Sequence, residues 1–404
     1  YELVSVLGGL TANDVYSYTL TLYSTEAQQI FEQGDHTTIA GTRYQYGTFD
    51  TSNLETHPSA IAGQFANPAA QQDLNTTLNR VSVYGYHLWQ IIDSLQLIGG
   101  LSYDWLDYPE NVLSPPVSSR ETSTGQFSPK AGLIWTPLKD TTVRFAYTRS
   151  LGGQNLDQSE RIEPTQVAGF QQTFRTIIGE PGVAQNGAAK DETYGLSLEQ
   201  KFSTGTYLGL TGEILKSQIG QTVGAFDRMP DVQQDAFLSG LHENLDYQEA
   251  SLQFTANQLL GRDWALGAQY RLSQAKLDYN YPEVSQNDDH LYHSPNYPFD
   301  PKQTLEATLN RVNLYAIYNL PCGFFSEADA RWYGQYNSGY SPAEPGDSLW
   351  QFDAFVGYRL WHRAAQVTVG VLNIGNQNYT LNPLNAHSEM ARERTLVVRF
   401  LLNF

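Results

Sequence analysis

The sequence predicts an all-β chain closing as a transmembrane antiparallel up-and-down β-barrel of about sixteen strands. Three observations predict it. Apolar and polar residues alternate with period two in segment after segment, the pattern of strands with two unlike faces. The links between those segments alternate between tight and long. The chain also carries 26 Tyr, 18 Phe and 7 Trp while only 16% of its 404 residues are charged, against about 25% in an ordinary globular domain.

The predicted strands, in order, are 2–9, 14–30, 36–48, 78–91, 94–105, 127–137, 141–149, 191–203, 206–219, 247–258, 263–277, 306–320, 324–337, 348–360, 364–374 and 392–404. In 94–105, Leu95, Leu97, Leu101, Tyr103 and Trp105 oppose Gln96, Ser102 and Asp104. In 191–203, Tyr194, Leu196, Leu198 and Phe202 oppose Thr193, Ser197, Glu199 and Lys201. The same alternation sets Trp264, Leu266, Ala268, Tyr270 and Leu272 against Gln269, Arg271 and Ser273. Trp350, Phe352, Ala354, Val356, Tyr358 and Leu360 likewise oppose Gln351, Asp353 and Arg359. Leu396, Val398, Phe400, Leu402 and Phe404 share one face of the last strand.

Tight links fall at Asp93-Ser94, Pro137 to Asp140, Ser203 to Gly205, Gly261-Arg262, Pro321 to Gly323 and His362-Arg363. Long ones fall at 49–77, 106–126, 150–190, 220–246, 278–305, 338–347 and 375–391. A soluble sandwich has no reason to sort its links this way, whereas outer-membrane barrels carry short periplasmic turns and long external loops. Closure also removes sheet edges, which lipid does not tolerate. The long link before the final strand makes that strand run inward, and an even strand number puts both ends in the periplasm. Trp105, Trp135, Trp350, Trp361, Tyr358 and Tyr336 lie near strand ends, where rings form interfacial girdles; the competing use of such rings is a sandwich core. Thr77 to Val81 recurs as Thr308 to Val312, which reads as chance similarity between barrel strands.

Composition excludes several classes. No run approaches about 18 consecutive apolar residues, so no transmembrane helix is expected. A net charge of -18 argues against nucleic acid, which is held by clustered Lys and Arg. Lone Cys322 forms no internal bridge, and no Cys/His cluster suggests zinc. The opening residues Tyr-Glu-Leu-Val-Ser-Val-Leu show no leader, so the chain is expected to be either mature or the C-terminal part of something longer. It is expected to form one domain over 1–404.

No residue pattern recommends catalysis: there is no Gly-x-Ser-x-Gly elbow and no convergent carboxylate pair. The expectation is no enzyme, no cofactor and no resident metal. His290 and His293, beside Asp288 and Asp289, have metal-ligating chemistry but read as part of a solvated acidic loop. Asp104, Asp107 and Glu110 have calcium-type oxygens but read as rim charges.

The polar strand faces carry Arg80, Arg144, Glu199, Lys201, Glu213, Arg271, Arg311, Arg331, Asp353, Arg359 and Arg399. These point into a lumen if their apolar neighbours face lipid. They then either tune a pore through a transverse field or pair to fill the barrel. Acid gathers in the long links, at Glu110, Glu121, Asp157, Glu160, Glu163, Asp227, Asp231, Asp235, Asp288, Asp289, Glu344 and Asp347. That acid serves solubility and divalent-cation bridging to lipopolysaccharide, or else capture of a cationic or metal-complexed solute.

The run Val367-Thr-Val-Gly-Val-Leu-Asn-Ile-Gly-Asn376, then Tyr379 and Arg392 to Phe404, resembles the end of a TonB-dependent receptor barrel. Ile374 and Gly375 depart from that family's usual Phe and Asp. Gly100 to Asp104, Phe127 to Pro137 and Val143 to Ser150 resemble its consecutive hairpins. The resemblance spans about 36–404. It implies a bacterial outer-membrane location, bilayer and lipopolysaccharide as surroundings, and passage of a solute. It also implies that Phe400, Leu402 and Phe404 are read by the barrel-insertion machinery. No segment resembles the family's plug, so a plug or periplasmic domain is expected outside this chain, unless the barrel is plugless. A softer resemblance, carried by Arg149 to Gly153 and Arg161 to Phe170, is to barrels that follow tetratricopeptide repeats, which implies an export or diffusion porin on a periplasmic scaffold. A closed structural or surface-binding barrel is the third reading.

Overall fold

The computed structural model describes residues 13–56, 68–152, 161–172, 188–228, 236–284, 293–294, 297–298, 301–340, 343–360, 364–379, 381 and 393–402. Its strands are β1 (Asn13–Gln33), β2 (His36–Thr56), β3 (Ala70–Ile92), β4 (Leu95–Pro109), β5 (Glu121–Leu138), β6 (Thr141–Leu151), β7 (Gln166–Val167), β8 (Phe170–Gln171), β9 (Lys190–Lys201) and β10 (Thr206–Arg228). They continue with β11 (Ala236–Leu260), β12 (Trp264–Asn280), β13 (His293–Ser294), β14 (Tyr297–Pro298), β15 (Lys302–Asn319), β16 (Phe324–Ser338), β17 (Ser348–Leu360), β18 (Ala365–Leu372) and β19 (Thr395–Leu402).

Fifteen of these form one up-and-down sheet in chain order, while β7–β8 and β13–β14 are two-residue hairpins apart from it. Among the described residues β1 and β19 each pair on one side. The predicted strand 2–9 lies outside the described residues, as do Phe404 and Trp361.

Burial runs opposite to that of a water-soluble sheet. On β2 the buried positions include Arg43, Gln45, Thr51, Asn53 and Glu55, while Tyr44, Tyr46 and Leu54 between them are exposed. Across β3, β4 and β5 the buried set is Arg80, Ser82, Ser102, Asp104, Gln126, Ser128 and Lys130. The exposed set is Val81, Val83, Leu101, Tyr103, Trp105 and Phe127. Covering such side chains is worth about 1.5–3 kcal/mol each, so a continuous apolar surface of this kind is stable only against lipid. The exposed rings mark its height. Trp135 pairs with Leu95, and Trp105 lies ten residues further along β4, the length of strand that crosses a bilayer core, about 9–11 residues.

The strand ladder reaches beyond that band at one end. β2 extends to Thr56, β3 starts at Ala70, β10 reaches Arg228 and β11 begins at Ala236, so the expected links 49–77 and 220–246 are shorter than predicted. The physical reason is that apolar alternation is demanded only where the outer face meets lipid. Above the bilayer Asp50 and Ser52 take the outward positions of β2, and the backbone bonds continue without any apolar signal.

Candidate functional site

Cross-strand register sorts the charged side chains. Partners in a ladder share a face, and the pairings place Arg144 opposite Ser197, Arg271 opposite Gln253, Arg331 opposite Gln351, Asp353 opposite Asp329 and Arg359 opposite Gln366. Ser197, Gln351, Asp353 and Asp329 are buried, so these charges lie on the inner, polar face. Glu199, two residues from Ser197, shares it, and Arg399, opposite Thr368 on the edge strand β19, does too.

Several are joined in ion pairs. Arg144 and Glu199 are 2.5 Å apart, Arg271 and Glu213 3.4 Å, and Arg331 and Asp353 3.0 Å. Asp353 also accepts from Gln351 and from the backbone N–H of Asn373. The Arg359 guanidinium donates to Asn319 at 2.7 Å and lies over the Phe325 ring. A further, nearly fully buried pair is Arg80–Asp104 at 2.8 Å, with Ser82 Oγ donating to the same carboxylate oxygen. Phe400 and Leu402, expected from the sequence to serve as an insertion signal, are exposed on the outward face.

Two expectations about acid are corrected. Asp104 is buried on the inner face, whereas Asp107 pairs with Asn79 on the outer one. Strand alternation therefore keeps Asp104, Asp107 and Glu110 from converging on one ion. Glu163, expected in an external loop, is buried, because part of the 150–190 link folds inward. The carboxylates at 157, 160, 231, 235, 288 and 289, and His290, lie outside the described residues.

That inward segment, 161–172, is the part of the site that sequence reasoning placed wrongly. Its Glu163 carboxylate accepts from Tyr86 Oη at 2.6 Å and stands 4.0 Å from Lys130 Nζ and 3.8 Å from Arg161. The Glu26 carboxylate on β1 accepts from the backbone N–H groups of Ile162 and Glu163, both at 2.9 Å, and from Tyr84 Oη at 2.7 Å. Gln28 donates to the Ile162 carbonyl, and Ser150 Oγ to that of Gln172. Val167 and Phe170 insert where the wall has no side chain. A Cβ on Gly132 would lie 2.7 Å from Val167 Cγ1, and one on Gly195 would lie 2.2 Å from the Phe170 ring. The mini-hairpin β7–β8 turns through Ala168 and Gly169, both at positive φ.

Nearer the mouth, the 110–120 link bridges separate strands. The Gly224 N–H of β10 donates to the Ser114 carbonyl, Thr222 Oγ1 donates to Glu110, Gln72 of β3 exchanges bonds with Val117, and Tyr16 of β1 donates to the Val112 carbonyl. Among the described residues no group of His, Cys, Asp or Glu is arranged to hold a metal ion.

A family model described as the β-barrel of TonB-dependent receptor-like proteins matches residues 3–179. No curated protein sequence matches the chain. The ferric-catecholate import receptor Fiu of E. coli K12 superposes with a TM-score of 0.54 at 15% identity, covering 95% of this chain and 54% of the receptor. The copper transporter OprC gives 0.57 at 11% identity, with 97% and 59% covered. The ferric yersiniabactin uptake receptor FyuA of Yersinia pestis gives 0.54 at 12% identity, with 97% and 54% covered. The chain thus spans little more than half the length of these structures, which are transport receptors rather than enzymes. Its up-and-down sheet has the fold of the barrel wall of TonB-dependent receptors.

Proposed function

We propose that this chain forms the wall of an outer-membrane transport barrel whose charged inner face passes a cationic or metal-complexed solute. The observation that carries the reading is the inversion of burial: apolar side chains cover the outside, and Arg80, Asp104, Arg271, Glu213, Arg331 and Asp353 line the inside. The acidic excess, 42 Asp and Glu against 24 Lys and Arg, raises the local concentration of cations near the mouth. The solved structures named above carry iron complexes and copper, and the solute class proposed here is of that kind.

The lumen-facing set in this reading is Arg144, Glu199, Arg271, Arg331, Asp353, Arg359 and Arg399, with Phe400, Leu402 and Phe404 addressing the insertion machinery. Lipopolysaccharide and a plug or periplasmic domain outside the described chain complete the assembly. The test is conductance of the purified chain in planar bilayers, together with uptake of a ferric chelate by proteoliposomes. Stable cation-preferring channels or chelate uptake support transport. Electrical silence and no uptake, with insertion verified by heat-modifiable mobility, move the assignment to a closed surface-binding barrel.

A further inference from the structure

The upper outward face of the sheet differs in sign from one side to the other. On β2–β5 it carries Asp50, Asp73, Asp107 and Glu121, while the basic residues of those strands, Arg43, Arg80 and Lys130, are buried on the inner face. On β6, β9, β10 and β12 the outward positions at that level include Arg149, Lys190, Lys216 and Lys276. Arg149 lies 3.8 Å from Glu192 and Lys276 2.8 Å from Asp278. Lys190 and Lys216 have no such partner. Both are exposed, alternating with buried Asp191, Leu215 and Ser217, and neither forms an ion pair among the described residues. Lys190 pairs with Gln218 in the ladder, so Lys216 is its diagonal neighbour, about 7–8 Å away. The carboxylates beside them are engaged, Glu192 by Arg149 and Tyr194 Oη, and Asp246 by Gln218 Nε2. In a chain of net charge -18, two ammonium groups left side by side mark a place for an anion.

Their height says which anion. Lys190 stands eleven residues from Lys201 and Lys216 ten from Thr206, at the far end of the about 9–11 residues that cross the hydrocarbon. The Tyr147–Tyr194 ring pair lies one outward row beneath Lys216. Below Lys216 the outward face of β10 continues through Ile214 to Gly212, which sits between Leu196 and Leu252, both half-exposed. A Cβ on Gly212 would come no nearer than 3.9 Å to a neighbouring side chain or backbone. That place is an open trough in the apolar face, roughly 13 Å below the lysine at about 3.3 Å per residue. We propose that Lys190 and Lys216 hold a phosphate of an outer-leaflet glycolipid, one of whose acyl chains lies in the Gly212 trough. The contact is direct, unlike the divalent bridging open to the acidic side on β2–β5, and it is independent of what the lumen passes.

The test measures binding of bisphosphorylated lipid A to the full chain in detergent micelles, with and without EDTA. Lys190→Gln with Lys216→Gln is expected to weaken binding about thirtyfold, about fivefold for each lysine. Lys216→Arg and, on the acidic side, Asp50→Asn are expected to leave it unchanged. Gly212→Leu fills the trough and is expected to weaken it, and excess inorganic phosphate is expected not to compete. Unchanged binding in the double variant, with heat-modifiable mobility verifying the fold, overturns the lysine site. Parent binding that disappears in EDTA overturns the direct contact in favour of a bridging cation. Displacement by inorganic phosphate overturns the lipid as ligand, and unchanged binding in Gly212→Leu overturns the trough.

Discussion

Arg80 and Asp104 show what a charge costs on the inner wall. Both are nearly fully buried, and Asp104 holds Arg80 and Ser82 at once. Removing one partner of such a pair takes the ionic contact away from a buried charge, at a cost of up to about 3–5 kcal/mol. Asp104→Ala is therefore expected to lower the unfolding free energy in lipid by that amount, and a urea titration in vesicles showing less than about 1 kcal/mol would contradict the burial. Glu55 behaves differently. It lies nineteen residues along β2 from His36, well past the roughly ten needed to cross the bilayer. Burial, with the Asp14 carboxylate nearby as a smaller cause, pushes its pKa above the ordinary value of 4.5. The folded state then binds a proton more tightly than the unfolded one. The stabilisation is complete below pH 4.5 and is lost as pH rises through the raised value. Glu55→Gln is expected to flatten that decline, read as unfolding free energy between pH 4 and 7. Face assignments such as those of Arg271 and Glu199 were legible in the sequence because parity fixes them. The partners were not, since Arg271 reaches Glu213 across an intervening strand, and nothing local to 271 marks residue 213.

At the scale of the strand, the sequence marks the lipid-facing stretch and is silent above it. The inner limits of the predicted strands agree closely with the structure, as at 36, 264 and 324 against predicted 36, 263 and 324. Their outer limits fall short wherever outward positions turn polar, because a backbone ladder in water needs no apolar face. The same logic gives a depth-dependent prediction. Leu196, exposed on β9 five residues from Lys201, sits near the middle of the apolar band, and Leu196→Arg is expected to cost about 2–4 kcal/mol. Leu198, nearer the periplasmic end of the same strand, is expected to cost less. Ser52→Arg, outward on the upper part of β2, is expected to cost roughly nothing. Unfolding in lipid that ranks Ser52→Arg with Leu196→Arg would place the membrane boundary elsewhere. The inward segment 161–172 was invisible to this reading for a related reason. Val167 and Phe170 are buried by sockets on β5 and β9, and in a link without periodicity an apolar residue does not announce which surface it meets.

For the whole molecule, parity and charge act together. The fifteen strands of the sheet alternate in direction, so β1 and β19 run the same way. An all-antiparallel closure takes an odd number of further strands beside them, in keeping with the even counts of outer-membrane barrels. However the wall is completed, the net charge of -18 is a property of the whole, and the described upper ends carry Asp73, Glu121, Asp246 and Asp278 in contact with solvent. The inward segment 161–172 exposes Ile162, Thr165 and Gln166, none of which carries a charge. Charge selectivity should therefore originate at the mouth, where it is exposed to solvent and screened. At about 0.1 M salt the Debye length is about 10 Å, comparable with the mouth of a barrel, and at about 1 M it falls to about 3 Å. The reversal potential across a tenfold KCl gradient is expected to favour K⁺ in dilute salt and to move toward zero as both sides are concentrated at fixed ratio. Replacing Glu121 and Asp73 by Gln and Asn should weaken the dilute-salt preference and leave the concentrated-salt value unchanged. A cation preference that persists in concentrated salt would instead place the selecting charge inside the lumen, beside the Arg271–Glu213 pair, where counterions screen it least.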